Sequence, residues 1–295
     1  MATMGSDSVS PARRSATLLI DCPDSKGLVA LVAGFLYEHG ANILHADQHR
    51  DDELGLFFMR NEWDLAEFAL DEAQFVQAFS PLAERFNMRW RVEYSSRPLK
   101  VAIFASRQLH CLSDLLERFS TGDLPGQLKV VISNHDDAGP LARFHGIRFE
   151  PVPVSLANKA GAERRQLDIL READVDLVVL ARYMQVLSGD FVACYPGRII
   201  NVHHSFLPAF SGARPYQAAY ARGVKLIGAT SHYVTEVLDD GPIIEQDVVR
   251  VSHRDSVAGM IRQGRDVERV VLSRAVRWHL EHRILSYSNK TVIFD

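Results

Sequence analysis

The sequence has 295 residues, which is enough for two domains of ordinary size. Hydrophobic residues make up 47% and charged residues 24%, and a formal net charge of −4 argues against a general nucleic-acid binder. No apolar run reaches the roughly 18 residues that a membrane span needs, so we expect no membrane partner. Residues 1–14 are polar and lack an apolar signal segment, which predicts a disordered tail.

The three cysteines are widely spaced along the chain, at Cys22, Cys111 and Cys194. An odd number of cysteines at such spacing predicts neither a disulfide framework nor a CxxC metal site. Because free thiols persist in a reducing compartment, we expect a cytoplasmic protein.

Residues 15–94 alternate short strand-like segments with segments of helical periodicity. We expect Asp24 or Ser25 to cap the first helix and Gly40 to end it. The order βαββαβ predicts a ferredoxin-like sandwich. Its strands and helices are expected near 17–22, 28–36, 42–48, 55–63, 75–86 and 89–94.

A linker is predicted at 95–99, and residues 100–295 are expected to form a second, catalytic domain. Near-continuous Val, Ile and Leu strands between helices predict a Rossmann-like, mostly parallel sheet covered on both faces. The strands are expected at 100–106, 129–133, 149–154, 176–180 and 198–202. Residues 255–285 predict one or two helices that pack on this sheet. Ligands bind at the carboxyl ends of such strands, where this sequence places several polar residues.

Three polar side chains predict an acyl-transfer site. Asn201 and His203 are two residues apart at the end of a strand, so their side chains point to the same side. An amide N–H can stabilise the negative charge that develops on an acyl oxygen, and an imidazole can move a proton. Asp239 precedes a turn, and a carboxylate beside His203 would fix its tautomer or position a water.

Each of these signals has an alternative interpretation. An Asn-x-His pair at a strand end is often a turn or a cap, and the sequence at 239–242 is by itself a turn signal. A metal site is a further alternative, since imidazole and carboxylate groups are metal ligands. Its candidate ligands are His203, His204, His232 and Asp239.

Four motifs together resemble the folate-dependent formyltransferase family across the C-terminal two thirds of the chain. They are ARYMQVLS at 181–188, NVH at 201–203 with SFLP at 205–208, GAT at 228–230 with His232, and LDDGP at 238–242. The resemblance implies that Asn201, His203 and Asp239 are catalytic. It also implies that 10-formyltetrahydrofolate is bound, with no cofactor and no metal. The implied substrate contacts are Arg182, Tyr183, Met184, Gln185, Val186, Leu187, His204 and His232.

The N-terminal domain resembles an ACT domain through CPDSKGLV at 22–29 and GANI at 40–43. An ACT domain joined to a formyltransferase-like domain is similar to the formyltetrahydrofolate deformylase family. This resemblance implies hydrolysis of the folate to formate, which serves purine synthesis and balances one-carbon pools. It also implies a homo-oligomer and an amino-acid effector, such as glycine or methionine, at Asp24, Gly27 and Leu28. A role of the ACT domain in assembly alone is the alternative.

The loop after the first strand of the catalytic domain departs from the family's transferases. Glycinamide ribonucleotide transformylase has a Gly-rich loop there that holds the phosphate of the acceptor, whereas residues 106–111 (SRQLHC) contain no glycine. His204 also replaces a proline that is usual in those relatives. Without a site for the acceptor phosphate, water is the remaining nucleophile. The alternatives are formyl transfer to an amine acceptor and a non-catalytic amino-acid or folate sensor.

Overall fold

The computed structural model describes residues 14–208 and 215–294. The predicted disordered tail therefore lies almost entirely outside the described residues. The chain divides into two compact units between Arg97 and Pro98, with Phe294 assigned to the first unit. Among the described helices, none has the length and hydropathy that crossing a membrane requires.

The first unit is the predicted βαββαβ sandwich. Its four strands form one sheet in the order β2-β3-β1-β4, in which every neighbouring pair is antiparallel. The elements are β1 (Ser15–Pro23), α1 (Leu28–Glu38), β2 (Asn42–Asp51), β3 (Leu56–Asp64), α2 (Glu72–Arg85) and β4 (Arg89–Tyr94). The ferredoxin-like topology expected from the sequence is confirmed.

The ends of the two helices differ in how they are capped. The expectation that Asp24 or Ser25 caps α1 is wrong, because Gly27 is the N-cap, with φ at 91° and no side-chain hydrogen bond to the helix. Gly40 follows the end of α1 as expected, with φ at 80°, and a Cβ there would lie 2.7 Å from the carbonyl oxygen of Glu67. In contrast, Asp71 begins α2 with a capping box.

The core of the first unit is built around aromatic rings between the helices and the sheet. Phe75 is fully buried and lies 5.5 Å from Trp63 and from Phe79, measured between ring centroids. Phe35 and Trp90 contact the same ring. Offset and edge-on ring pairs of this kind add to the stabilisation that comes from apolar burial.

The second unit contains a seven-stranded sheet in the order β11-β10-β9-β8-β5-β6-β7. Strands β5 to β9 run parallel to one another, and β10 is antiparallel to both β9 and β11. The strands are β5 (Lys100–Ala105), β6 (Gln127–Ser133), β7 (Arg148–Pro151), β8 (Leu177–Ala181), β9 (Ile199–His203), β10 (Leu226–Tyr233), β11 (Ile243–Arg250), β12 (Ile284–Tyr287) and β13 (Lys290–Ile293). The helices are α3 (His110–Thr121), α4 (Gly139–Phe144), α5 (Lys159–Glu172), α6 (Gly189–Cys194), α7 (Pro215–Arg222) and α8 (Val257–Leu280).

The sequence predicted the parallel strands but missed the antiparallel ones. Strands β5 to β9 lie where the apolar runs were, whereas β10 and β11 carry polar residues inside the sheet and gave no such signal. The helical prediction for 255–285 is corrected at its end: α8 is one helix, and Ile284 and Leu285 belong to the hairpin of β12 and β13.

The sheet reverses its strand order between β5 and β8. From β5 the chain proceeds outward through β6 and β7, and then returns to the other side of β5 to add β8 and β9. Such a switch point opens a crevice at the carboxyl ends of the two strands, and open α/β sheets bind their ligands there. The topology thus places the loops after β5, β8 and β9 around one site.

We expect Phe75→Ala to lower the free energy of unfolding of the first unit by about 3–5 kcal/mol, because it empties the centre of the aromatic core. Urea unfolding followed by fluorescence in a Trp278→Phe background reports on this unit through Trp63 and Trp90. Tyr37→Ala removes a ring that is 80% exposed and is the matched control. Equal midpoints for the two variants would contradict the assigned core.

Candidate active site

The pairing of β9 with β10 assembles the predicted catalytic side chains. Asn201 lies opposite His232, and His203 lies opposite Thr230. Residues that face each other across two antiparallel strands, and residues two apart along one strand, share a face of the sheet. The two strands therefore present an amide, two imidazoles and a hydroxyl on the same side.

Asp239 completes the group from the loop between β10 and β11. Its Oδ2 atom lies 3.2 Å from Nδ1 of His203, and its Oδ1 atom lies 3.6 Å from Nε2 of His232. The hydrogen bond from His203 holds the pKa of Asp239 well below its usual range. The carboxylate is therefore ionised and fixed between two rings.

The ring of His203 is oriented for proton transfer. Because the ionised Asp239 accepts a hydrogen bond from Nδ1, the neutral ring has its lone pair on Nε2. That Nε2 atom is buried and has no hydrogen-bond partner within residues 14–208 and 215–294. A buried base without a partner costs stability unless a ligand or water meets it, and such atoms mark functional sites.

The amide of Asn201 is oriented by His232. Nδ1 of His232 lies 3.0 Å from the carbonyl oxygen of Tyr233 and must donate to it, so Nε2 of the neutral ring accepts a hydrogen bond. The Nδ2 group of Asn201 lies 3.2 Å from that Nε2 atom and is the donor. One amide hydrogen of Asn201 is thus used, and the second is available to a ligand.

Two features that the sequence did not reveal hold the surrounding loops. The hydroxyl of Thr230 accepts a hydrogen bond from the amide of Leu207, 3.0 Å away, and donates to the carbonyl of Ser205. A Cβ at Gly241 would lie 1.8 Å from the carbonyl oxygen of Tyr233, so the Asp239 loop approaches β10 more closely than any other residue type permits. The motifs GAT and DGP contained both residues, but only the contacts assign them a purpose.

The predicted substrate loop at 182–187 presents only some of its side chains to solvent. Met184 is 57% exposed and Val186 is 55% exposed, while Gln185 and Leu187 are partly buried. Tyr183 instead points into the core, where its hydroxyl accepts a hydrogen bond from Gln166 at 2.6 Å. Only the backbone of Tyr183 remains to contact a ligand at this site.

Arg182 and His204 are both buried beside the predicted site. Arg182 has φ at 61°, and its Nε atom lies 3.4 Å from Oε2 of Glu268, so its guanidinium is directed into the protein. The contact of Arg182 with the folate stays a prediction, although its guanidinium is buried against Glu268. His204 stacks on His203 with a centroid distance of 5.0 Å.

A geometric grouping of potential metal ligands consists of residues other than the predicted ones. His110, Cys111 and Glu268 offer ligand atoms that lie within 4.8 Å of one another. The Glu268 oxygens already accept hydrogen bonds from His110 and Tyr216, and the positive Arg182 guanidinium adjoins them. Burial raises the pKa of the Cys111 thiol, which disfavours the thiolate that would bind a metal. This arrangement favours an internal ion pair over a cation site.

Comparison with known proteins identifies the family. Residues 99–276 match the formyl transferase family model, and residues 16–62 match the ACT domain model. The chain is 52% identical to a formyltetrahydrofolate deformylase of Synechocystis sp. over 95% of this chain and 98% of that protein. It is 50% identical to a Bacillus subtilis protein of the same name, over 94% of this chain and 93% of the relative. This chain belongs to the formyltetrahydrofolate deformylase family.

Solved structures agree with the family assignment. A crystal structure of a formyltetrahydrofolate deformylase from Pseudomonas syringae matches with a TM-score of 0.94 and 49% identity, covering 97% of this chain and 96% of the other. A glycinamide ribonucleotide transformylase from Symbiobacterium toebii matches with a TM-score of 0.63 and 32% identity, covering 67% of this chain and 95% of the other. The deformylase family thus shares the fold of its catalytic unit with a transferase.

The residues that were predicted to bind an effector lie at the turn between β1 and α1. Asp24 pairs with Arg50 at 2.8 Å, and Gly27 begins α1 without a side-chain cap. Leu28 is buried in the core of the first unit, so only its backbone can reach a ligand. The turn therefore offers one carboxylate and the uncapped amide groups of a helix N-terminus.

We expect the carboxyl carbon of Asp239 to show no protonation shift in a ¹³C NMR titration from pH 7 to pH 4.5. An ordinary aspartate, with a pKa of about 3.9, would already be partly protonated there. Folding lowers the pKa of Asp239, so the stabilisation by its ionised carboxylate is fully present above the unfolded pKa of about 3.9. This stabilisation is lost as the pH falls from there through the folded pKa. An aspartate in an unstructured peptide gives the comparison resonance. Equal titration of both carboxyls would contradict the pairing of Asp239 with His203.

Proposed function

We propose that this protein hydrolyses 10-formyltetrahydrofolate to formate and tetrahydrofolate. The observation that carries the proposal is the contact of His203 with Asp239, which leaves Nε2 as a buried proton acceptor beside the amide of Asn201. Membership of the deformylase family supports the same reaction. The reaction uses an oxyanion donor and a proton carrier, and the proposal needs no cofactor or metal.

In the first step, water attacks the formyl carbon. The free amide hydrogen of Asn201 stabilises the negative charge that develops on the formyl oxygen, and Nε2 of His203 takes the proton of the water. Asp239 acts through His203 by fixing its tautomer and by stabilising the imidazolium that forms. We assign this role to Asp239, rather than the positioning of water, because both of its oxygens face histidine rings.

In the second step, the bond between the formyl carbon and N10 breaks. An arylamine nitrogen is a poor leaving group as an anion, so the His203 imidazolium donates its proton to N10. The products are tetrahydrofolate and formic acid, which ionises to formate. His203 returns to its neutral state, and each atom of the water appears in a product.

The loop at 182–187 is the proposed pterin site. Met184 and Val186 supply exposed apolar walls, and backbone N–H and C=O groups of the loop can recognise the donors and acceptors of a pterin. His204 and His232 contact the proposed catalytic residues His203 and Asn201, and they are proposed to contact the substrate there. The released formate is proposed to serve purine synthesis and the balance of one-carbon pools.

We expect His203→Ala to lower the rate of formate release by about 10²–10⁴-fold, because it removes the proposed proton carrier. The affinity for the folate should change little, since the role of the imidazole is confined to the transition state. Release of formate from 10-formyltetrahydrofolate, measured without any amine acceptor, gives the rate, and fluorescence titration gives the affinity. His253→Ala, at an exposed histidine, is the control. Retention of most of the rate by His203→Ala would refute this role.

A second proposed function is the binding of an amino-acid effector by the ACT domain. The uncapped N-terminus of α1 suits a carboxylate, and Asp24 suits an ammonium group. An amino acid such as glycine or methionine carries both groups on one carbon. A homo-oligomer, in which the ACT domains assemble, stays a prediction.

Equilibrium dialysis of the full chain with labelled glycine and methionine tests the effector site. We expect saturable binding of one of them, weakened at least about 10-fold in Asp24→Asn, because a charge-assisted contact of roughly 1.5–3 kcal/mol is lost. Asp52→Asn removes the other carboxylate that pairs with Arg50, and it should bind normally. Absence of binding for both amino acids would leave assembly as the role of the domain.

A further inference from the structure

Four polar side chains that the proposed mechanism does not use meet inside the second unit: His110, Arg182, Tyr216 and Glu268, here named the Glu268 cluster. Nε2 of His110 lies 2.7 Å from Oε2 of Glu268, and the hydroxyl of Tyr216 donates to Oε1 at 2.8 Å. Nε of Arg182 lies 3.4 Å from Oε2. Glu268 itself is only 1% exposed, so its charge depends on these neighbours.

The charges within the cluster are balanced. Burial raises the pKa of Glu268, but the contacts with His110, Arg182 and Tyr216 outweigh this effect and hold that pKa below its ordinary value. The carboxylate is thus ionised, and the Arg182 guanidinium, which also donates to Gln108 at 3.3 Å, balances its charge. Charged side chains this deeply buried stay in place, because moving one of them leaves another unpaired.

Helix α8 is shaped to receive the phenol ring of Tyr216. Gly264 lies one turn before Glu268, and a Cβ at this glycine would lie 2.0 Å from the Tyr216 hydroxyl. The missing side chain at 264 leaves the space through which the ring reaches Glu268. The cluster therefore depends on a matched glycine, tyrosine and glutamate.

The cluster lies at the switch point of the sheet. His110 begins α3, shortly after β5, and Arg182 is the first residue after β8. Because β5 and β8 are parallel neighbours at the point where the strand order reverses, their carboxyl ends border the crevice in which such folds bind ligands. Here the side chains of His110 and Arg182 point into the protein. His110 forms a hydrogen bond with Glu268, and Arg182 pairs with Glu268 and donates a hydrogen bond to Gln108.

The cluster also adjoins the proposed catalytic histidine. The ring of Tyr216 lies 6.3 Å from that of His204, which in turn stacks on His203 at 5.0 Å. A second substrate that approached the formyl carbon from the ends of β5 and β8 would have to displace this packed layer. A water molecule is small enough to enter without doing so.

We propose that the Glu268 cluster fills the acceptor side of the crevice, so that amines are excluded and water is the only nucleophile that reaches the formyl carbon. This inference rests on the proposed function. Its structural premise is that a transformylase with 32% identity shares the fold, so that the fold alone does not decide the nucleophile. Arg182, Tyr216 and Glu268 are thereby specificity-determining residues, and they act by occupying space.

The excluded reaction is formyl transfer to a small primary amine. The amine nitrogen would form a bond to the formyl carbon, the bond from that carbon to N10 would break, and the amine proton would pass through His203 to N10. The products would be an N-formyl amine and tetrahydrofolate. Water and amine would thus compete for the same formyl carbon of the bound folate, and the ratio of the two products reports which nucleophile enters.

The test uses the variant Arg182→Gly/Glu268→Gln in the full chain. Glycine suits the positive φ of residue 182, and the paired change removes the positive and the negative charge together, so no buried charge remains unpaired. Wild type and variant receive ¹³C-formyl-labelled 10-formyltetrahydrofolate with and without glycinamide. NMR then measures labelled formate and N-formylglycinamide, after subtraction of a reaction without enzyme.

We expect the variant to raise the ratio of N-formylglycinamide to formate at least 10-fold above that of the wild type. Tyr216→Phe keeps the ring in place and should leave the ratio at the wild-type value. If the double variant does not fold, Tyr216→Ala provides the same test, because it opens the packed layer and leaves Arg182 paired with Glu268. A variant that consumes the folate yet yields formate alone would overturn the inference, because a merely structural cluster alters kcat or KM and not the product. Absence of formate from the wild type without amine would instead refute the proposed function.

Discussion

The candidate site depends on one backbone interaction, the antiparallel pairing of β9 with β10. Its register places Asn201 opposite His232 and His203 opposite Thr230, which brings distant parts of the chain within hydrogen-bond distance. A shift of one residue would turn every one of these side chains to the other face of the sheet. The arrangement of these side chains thus depends on the backbone hydrogen bonds that join the antiparallel strand β10 to the parallel strand β9.

The loop that carries Asp239 brings a carboxylate to the side chains that this register aligns. Asp239 has a positive φ of 55°, and the close approach of Gly241 to the carbonyl of Tyr233 keeps the loop against β10. The carboxylate therefore faces His203 and His232 at once. Strained backbone of this kind persists where the surrounding contacts outweigh its cost, and it is concentrated at functional sites. This backbone geometry holds the carboxylate at Nδ1 of His203, and Nε2 of that ring has no partner among the described residues.

The same architecture is found in a transferase and in the deformylases, so the reaction is decided by side chains and not by the sheet. The Gly-free loop at 106–111 already distinguished this chain from the transferase pattern. The structure adds a reason, because His110 from that loop is bonded to a carboxylate buried on α8. The residues that balance the buried charge of Glu268 are thus the same residues that we propose to select the nucleophile.

Sequence patterns alone were sufficient to predict the elements whose signal is local. Buried parallel strands appear as apolar runs, the ACT domain appears as alternating periodicities, and the Asn-x-His pair of β9 needs only the two-residue period of a strand. Tertiary structure decided the rest: β10 carries Thr230, Ser231 and His232 within the sheet and has no apolar signature, and Glu268 meets a residue 158 positions away. The inward direction of Tyr183 and Arg182 also depends on partners in other elements. Local sequence patterns show which residues are buried and whether they follow the period of a helix or of a strand. The pairing of polar groups is fixed only when distant segments have packed together.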